Sequence, residues 1–275
     1  MYRVIKVLNN NVCMAKDEKD TECIVVGKGI GFGKRAGDII EEDKLEKVFY
    51  VQENTNKIKF SELMEKIRGE VIGIAEEIIA MAERTKGKKL NEHIHIALAD
   101  HIAFAIERTK MGIEIKNPFN IEINALYKDD YNIASKAIEL IKERLNVFLP
   151  EDETGFIALH IHAALENAGL STTLKNTRLI SKLVSTIEKQ LGKHIDRDSI
   201  DYIRLITHLR FAIDRVEKDT PVANELLDMI KKKFKKAWKI AKEIAIEIEE
   251  ELEKKVPEGE IGYLAIHIQR LINVT

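Results

Sequence analysis

The sequence predicts a multidomain protein: a small, dimerising, N-terminal antiparallel β-sheet domain followed by two homologous all-α helical-bundle domains. Three observations support this fold class. Short β-branched runs separated by turn residues occupy the first 56 residues. From Phe60 onward, apolar residues recur at spacings of three and four, as on one face of a helix. The helical part also matches itself at a constant offset, the one that separates His101 from His208.

The composition is that of a folded protein without a membrane segment. The 275 residues include 44 Lys and Arg against 46 Asp and Glu, and 45% of residues are hydrophobic, which excludes an intrinsically disordered chain. Cys13 and Cys23 are too few for a disulfide framework or a cysteine-based zinc site. The N-terminus lacks a signal-peptide core and no apolar run approaches about 18 residues, so we expect a cytoplasmic protein without membrane insertion.

The N-terminal sheet is predicted from four short runs that are too short for helices. Polar turns separate them, notably the Asn9–Asn11 triplet and the tip at 17–20. Because a sheet of this size is marginal alone, dimerisation would help to bury its apolar face. We place this domain at residues 1–56 and a linker at 57–62. The predicted strands are Tyr2–Leu8, Val12–Ala15, Cys23–Val26 and Val48–Val51.

An internal repeat divides the helical part into two. Residues 97–108 match residues 204–215 at six of twelve positions, without a gap. At the same offset, residues 150–162 match residues 257–269 at seven of thirteen positions, where chance would give about one. We therefore predict two homologous helical domains, at residues 63–170 and 171–275.

Four of the eight histidines obey this repeat. His101 and His160 are 59 residues apart, as are His208 and His267, since 160 − 101 and 267 − 208 are equal. A single buried histidine would ordinarily be structural, but a pair present in both copies favours a shared function. The HxH sequences at 93–95 and 160–162 resemble metal ligands. In a helix, however, residues two apart point to different faces, so these rings are better interpreted as hydrogen-bonding groups and no metal site is predicted.

A glycine-rich segment in the sheet domain is the second candidate site. Five of the 14 glycines lie within residues 27–37, together with three cations. The segment fails the phosphate-loop pattern G-x-x-x-x-G-K-[ST], and the looser G-x-G-x-x-A match at 31–36 lacks an adjoining βαβ unit. It is either a structural hairpin or a nucleic-acid surface. A surface for RNA would use Lys6, Lys28, Lys34 and Arg35, with Phe32 stacking on a base and the Asn9–Asn11 amides contacting base edges.

Three sheet-domain motifs resemble the RNA-binding domain of bacterial sugar-operon antiterminators, the family of BglG, SacY and LicT. They are K-V-L-N-N-N-V at 6–12, G-K-G-I-G-F-G-K at 27–34 and E-K-V-F at 46–49. The repeat is similar to that family's two phosphotransferase-system regulation domains. The stretches 30–33, 90–98 and 155–162 resemble the glucose-type branch, typified by GlcT.

The resemblance implies a transcriptional antiterminator rather than an enzyme, with no cofactor. The first domain would dimerise and bind an RNA hairpin in a nascent leader transcript, preventing the overlapping terminator from forming. The matching RNA-contact positions are Asn11, Gly27, Lys28 and Phe32, with Lys6 and Asn10 beside them.

The resemblance also implies regulation by histidine phosphorylation. The phosphorylation positions are His101 and His160 in the first regulation domain and His208 and His267 in the second. The donors would be the phosphocarrier HPr and the EIIB domain of a sugar-specific permease, for which glucose is the expected sugar.

Two other functions remain open at this stage. One is a phosphorylated regulator that acts on DNA or on a protein partner, and the DNA-binding form would require an N-terminal helix-turn-helix. The other is a metal-dependent helical hydrolase that uses the clustered histidines. Arg108 and Arg215 each lie seven residues beyond a repeated histidine. Their side chains could bind the phosphate of a phosphorylated histidine, or could equally be solvated or ion-paired.

Overall fold

The computed structural model describes residues 1–50, 54–220 and 222–273. Its N-terminal part is a five-stranded antiparallel sheet with the order β4-β1-β2-β3-β5. A 3-10 turn at Glu42–Lys44 precedes the last strand. The strands are β1 (Tyr2–Asn9), β2 (Val12–Lys16), β3 (Glu22–Val26), β4 (Ile39–Ile40) and β5 (Lys47–Phe49).

Four strands lie where the β-branched runs predict them, whereas β4 is an addition. It has only two residues, which pair with Tyr2 and Arg3 at the edge of the sheet, so it is too short to leave a sequence pattern. Residue 51, the end of the last predicted run, lies outside the described residues. Residues 1–50 are all described and contain no helix-turn-helix, so they do not support the DNA-binding alternative.

The predicted polar turns join the first three strands. In the β1–β2 hairpin, Asn9 pairs with Val12 across Asn10 and Asn11. In the β2–β3 turn, the carboxylate of Asp17 accepts hydrogen bonds from the backbone N–H groups of Lys19 and Thr21, both at 2.9 Å. These local bonds fix the register of strands whose inner faces form the core of the sheet.

Both cysteines lie in that core. Cys13 and Cys23 are buried and free, and they pack with the apolar side chains of neighbouring strands. Burial raises the pKa of each thiol to about 11. The thiols are therefore protonated at neutral pH and serve as small apolar core groups.

Eleven helices follow within the described ranges, and the two copies of the repeat share one order of helix lengths. The short helices α4 and α9 have seven residues each, and the next helices, α5 and α10, have 18 each. The helices are α1 (Asn54–Lys66), α2 (Gly69–Lys86), α3 (Ile94–Lys110), α4 (Asn120–Leu126), α5 (Lys128–Leu145), α6 (Glu153–Leu165), α7 (Leu170–Leu191), α8 (Ile200–Glu217), α9 (Leu227–Lys233), α10 (Lys235–Leu252) and α11 (Glu258–Asn273).

Local signals place several of these helix ends. Ser199 caps α8, because its side chain accepts a hydrogen bond from the backbone N–H of Tyr202 at 3.1 Å. Gly87 ends α2 in the left-handed conformation, with φ 64°. No helix among the described residues is long and apolar enough to cross a membrane.

The chain forms two compact units. The first contains residues 1–117 and 129–170, and the second contains residues 118–128 and 171–275. The first unit therefore holds the sheet together with α1–α3, α5 and α6, and the second holds α4 with α7–α11. The predicted domain boundaries stay predictions, and the range proposed as a linker, 57–62, lies within α1.

Each unit has its own apolar core. In the second unit, the inner faces of α7, α8, α10 and α11 meet, and Leu183, Leu209 and Ile244 have no exposed surface. In the first unit, the same is true of Ile78 on α2, Leu98 on α3 and other residues at helical spacing. This packing confirms the predicted order of a β-sheet followed by two helical copies, whereas dimerisation of the sheet domain stays a prediction. It leaves the repeated histidines on helices that contact each other.

Candidate functional site

The glycine-rich segment folds back onto the Asn9–Asn11 turn. Gly27 N–H donates to the backbone carbonyl of Asn11 at 2.9 Å, and Gly31 N–H donates to that of Asn10 at 3.0 Å. The side-chain oxygen of Asn11 also accepts from Gly29 N–H at 2.8 Å. The structure thus brings the turn and the segment, far apart in sequence, into one surface.

Most of the predicted RNA-contact residues lie exposed on the sheet domain. The ring of Phe32 is 76% exposed, the highest value among the large apolar side chains of the described residues. Gly27 is buried and Asn11 is half-buried. The exposed members of the set are Lys6, Asn10, Lys28 and Phe32.

Two glycines in the segment are required by close backbone packing. A Cβ atom on Gly27 would lie 2.3 Å from the carbonyl oxygen of Lys44, and one on Gly31 would lie 2.2 Å from that of Asn9. Neither backbone oxygen can retreat without displacing its strand or turn. At these two positions, glycine is explained by contact with the protein's own backbone.

Glu77 on α2 holds the turn from the other side. Its carboxylate accepts from the side-chain amides of Asn9 at 2.8 Å and Asn11 at 2.9 Å. With Gly29 N–H on its oxygen, the side chain of Asn11 is thus engaged at both ends. The turn and this face of α2 line a cleft of about 570 Å³. The sequence offers no signal for Glu77, because an acidic residue on a predicted helix is usually solvated.

In the first unit, the structure brings His101 and His160 together. His101 lies on α3 and His160 on α6, and their ring centroids are 4.8 Å apart at an angle of 43°. Nε2 of His101 lies 3.0 Å from Oε2 of Glu153, whose other oxygen accepts from Arg108 at 2.7 Å. Glu153 is only 2% exposed, so this carboxylate links the histidine site to the arginine inside the protein.

The second unit repeats the arrangement with different geometry. His208 on α8 and His267 on α11 are stacked, with ring centroids 3.7 Å apart at 21°. The buried carboxylate of Glu260 accepts from Nε of Arg215 at 2.6 Å and from Nη2 at 2.5 Å. Here the arginine engages both carboxylate oxygens.

The structure therefore assigns roles that sequence analysis left open or missed. Arg108 and Arg215 are ion-paired rather than free. Their partners, Glu153 and Glu260, were not predicted as site residues. The signal that could have identified them is the repeat itself, because these glutamates recur at the same offset as the histidines.

Burial keeps one ring of each pair neutral. Burial, followed by the proximity of His101 and His93, lowers the pKa of His160 from 6.5 to about 3. Burial, followed by His208, Arg270 and Arg204, lowers the pKa of His267 to about 4. A neutral imidazole has an unprotonated nitrogen, which is the atom that can attack phosphorus at neutral pH.

Two other histidines of the HxH sequences, His95 and His162, make hydrogen bonds through their rings. His95 is buried with Nδ1 2.8 Å from Oε2 of Glu76. Nδ1 of His162 lies 2.8 Å from Oδ2 of Asp130, which also pairs with Lys86. Across the residues that the structure describes, no group of three or more His, Cys, Asp or Glu side chains could hold a metal ion.

Acid is expected to destabilise the first unit through His160. Because its pKa is lower in the folded than in the unfolded state, the unfolded chain takes up the proton first as pH falls below 6.5. Between pH 6.5 and pH 5, this costs up to about 2 kcal/mol of unfolding free energy, at about 1.4 kcal/mol per pH unit. Urea unfolding at both pH values measures the loss, and His160→Gln should reduce the pH slope.

His95 should change the pH dependence of stability in the opposite sense to His160. Burial alone would lower its pKa, but the carboxylates of Glu76, Glu83 and Glu92 together outweigh burial and raise it. Its stabilising contribution is complete below pH 6.5 and is lost as pH rises through the raised value. Ring NMR should therefore find His95 protonated and His160 neutral at pH 6. Titration of both rings near pH 6.5 would contradict the assignment.

Comparisons with known proteins find matches for the sheet domain and for both helical copies. Residues 2–58 match the family model of the CAT RNA binding domain, and residues 76–164 and 181–271 each match that of the PRD domain. The transcription antiterminator LicT of Bacillus subtilis is 37% identical over 273 residues, covering 98% of this chain and 99% of LicT. The PtsGHI operon antiterminator of the same organism is 39% identical over 274 residues, covering 99% and 98%.

A solved structure is also similar. The crystal structure of GlcT CAT-PRDI shares 44% sequence identity with this chain and superposes with a TM-score of 0.50. It covers 60% of this chain and 98% of its own. Three fifths of this chain therefore have an experimentally determined counterpart.

Proposed function

Because this chain belongs to the family of transcription antiterminators that combine a CAT RNA binding domain with PRD domains, we propose that it binds an RNA hairpin in a nascent sugar-operon leader. Holding the hairpin prevents the overlapping terminator from forming, and transcription continues into the operon. The chain acts as a regulator and not as an enzyme. It works in the cytoplasm, where the transcript is made.

One observation carries this proposal. The CAT and PRD matches follow each other in the same chain, and antiterminators align with it over nearly their whole length. The sheet provides a surface suited to RNA, with Lys28 and Phe32 exposed beside the Asn10 turn. A cation can neutralise phosphate and an exposed ring can stack on an unpaired base. We assign RNA contacts to Lys6, Asn10, Asn11, Gly27, Lys28 and Phe32.

Phosphorylation of the paired histidines would control RNA binding. We assign the sites to His101, His160, His208 and His267, with HPr and the EIIB domain of a sugar permease, for glucose by resemblance, as donors. Each phosphoryl group adds close to two negative charges, and two such groups about 10 Å apart repel by roughly 3 kcal/mol at an effective dielectric of about 40. In a homodimer, such repulsion would shift the equilibrium between arrangements more than a hundredfold.

A reconstituted phosphotransfer and transcription assay tests the function. Phosphoenolpyruvate, enzyme I and HPr are supplied with or without permease domains, and label is mapped under conditions that preserve phosphohistidine. The same protein is added to transcription of a leader with its terminator. We expect label on the repeated histidines and read-through that depends on it. Unchanged termination in every phosphorylation state would refute antitermination.

We expect Glu77→Ala to raise the affinity of the full chain for the RNA hairpin about tenfold. To contact RNA through its amide nitrogen, Asn11 must break its charge-assisted hydrogen bond to Glu77, which is worth about 1.5–3 kcal/mol. Electrophoretic mobility shift with a family leader hairpin measures the effect. The matched control is Glu70→Ala, an exposed glutamate that lines the same cleft. Equal affinities for the two variants would show that Glu77 does not restrain the RNA surface.

A further inference from the structure

Among the positions at which the two copies differ in charge, three form one ion-pair cluster in the second unit. At the offset that aligns His101 with His208, Ala97 corresponds to Arg204 and Ala163 corresponds to Arg270. Ile94 likewise corresponds to Asp201. The first unit therefore has three uncharged side chains where the second has two arginines and one aspartate.

The two arginines meet beside the stacked rings. Arg204 lies one helical turn before His208 on α8, and Arg270 lies one turn after His267 on α11. Nε of Arg270 is 3.5 Å from Oδ1 of Asp201, and Nη1 of Arg204 is 3.8 Å from the same oxygen. Two guanidinium groups from different helices thus converge on one carboxylate at the edge of the histidine pair.

This cluster has an excess of positive charge and remains accessible. One aspartate balances two arginines, at distances longer than a good charge-assisted hydrogen bond. The side chains of Arg204 and Arg270 are 47% and 52% exposed, so both can reorient towards a bound anion. Their charge also contributes to the lowered pKa of His267. In contrast, Arg215 is committed to the buried Glu260.

We propose that Arg204 and Arg270 form an anion clamp that holds the phosphoryl group on His208 or His267, and that the first unit lacks this clamp. The inference rests on the proposed phosphorylation of these histidines. In the transfer from HPr, an unprotonated ring nitrogen attacks phosphorus, the P–N bond of the donor breaks, and the donor nitrogen keeps the electron pair. Since the step is reversible, stabilising the product raises its occupancy at equilibrium.

The test measures phosphoryl occupancy at each site of the full chain after equilibration with phosphorylated HPr. Mass spectrometry under conditions that preserve phosphohistidine separates the four sites. For the double variant Arg204→Ala/Arg270→Ala, we expect the transfer equilibrium at the second unit to fall about tenfold or more, with the first unit unchanged. Each charge-assisted hydrogen bond to a dianion accounts for a factor of this order.

Three further variants separate a clamp from a general charge effect. Arg178→Ala removes one exposed cation elsewhere in the second unit and should leave occupancy unchanged. Arg204→Lys/Arg270→Lys keeps the charge but loses the planar fork, and should give an intermediate value. Ala97→Arg introduces one arginine into the first unit and should raise occupancy at His101 or His160. Equal second-unit occupancy in the wild type and the double alanine variant would overturn the clamp.

A second measurement is independent of any protein donor. Inorganic phosphate is titrated into the full chain while the histidine ring signals are followed by NMR. We expect saturable shifts at His208 and His267 that weaken in the double alanine variant, and no such shifts at His160. If HPr labels no histidine, the proposed regulation fails and this titration alone decides the clamp. An equal response in wild type and variant would exclude it.

Discussion

Glu260→Ala should lower the unfolding free energy of the second unit by about 2–4 kcal/mol. The carboxylate of Glu260 has no exposed surface and accepts two short hydrogen bonds from Arg215. Truncation leaves the guanidinium of Arg215, only 26% exposed, without its hydrogen-bonded carboxylate, and Asp214 supplies the remaining nearby negative charge. Removing one partner of a buried ion pair commonly costs about 3–5 kcal/mol, and the partial exposure of Arg215 reduces that figure.

Glu258→Ala provides the control for this change. Glu258 lies two residues earlier on α11, is 64% exposed and pairs with Lys231 at 2.8 Å. An exposed pair of this kind contributes about 0–1 kcal/mol. Urea unfolding followed by circular dichroism compares the two variants, and Arg215→Ala/Glu260→Ala should recover part of the loss because no unpaired charge remains. Similar small losses for Glu260→Ala and Glu258→Ala would show that the buried pair is not stabilising.

Phe32→Ala should weaken binding of the RNA hairpin by about 1–3 kcal/mol, or roughly five- to 150-fold in Kd. The ring is 76% exposed, so it can stack on a base without rearrangement of the sheet. For the same reason, the substitution should change the unfolding free energy by less than about 0.5 kcal/mol. We therefore expect a loss of RNA affinity with little change in the free energy of unfolding, as for a residue that contacts a ligand.

Two variants make this experiment specific. Phe104→Ala removes another exposed aromatic ring, on α3 of the first unit, and should leave RNA affinity unchanged. Phe32→Trp keeps a stacking surface and should retain most of the affinity. Fluorescence anisotropy with labelled hairpin RNA at fixed salt measures all three proteins. Wild-type affinity for Phe32→Ala would remove the ring from the set of RNA contacts.

The fold class could be predicted because its signals are local. Strands β1, β2, β3 and β5 follow β-branched runs between polar turns, and the helices follow apolar spacings of three and four. The edge strand β4 has two residues and depends on pairing with β1, so no local pattern encodes it. Helix α4 groups with the second unit because Ile123 is buried there and Glu122 pairs with Ser181. Such a choice of partner is a property of packing and not of composition.

The pairing of the histidines could be predicted because the duplication repeats their spacing. The equal separation of His101 from His160 and of His208 from His267 indicated two equivalent sites before any contact was known. The different ring geometries, 4.8 Å and tilted against 3.7 Å and stacked, depend on how each pair of helices packs.

What the amino-acid order specified alone was the sheet-then-helix organisation, the duplication, the paired histidines and the RNA-binding motifs, because periodicity and repetition are carried by neighbouring residues. The interaction partners of those residues required the folded chain. Glu77 accepts a hydrogen bond from the amide of Asn11, and Arg204 and Arg270 both pair with Asp201. Hydrogen bonds and ion pairs need atoms within about 3–4 Å, and only folding brings side chains from distant segments that close.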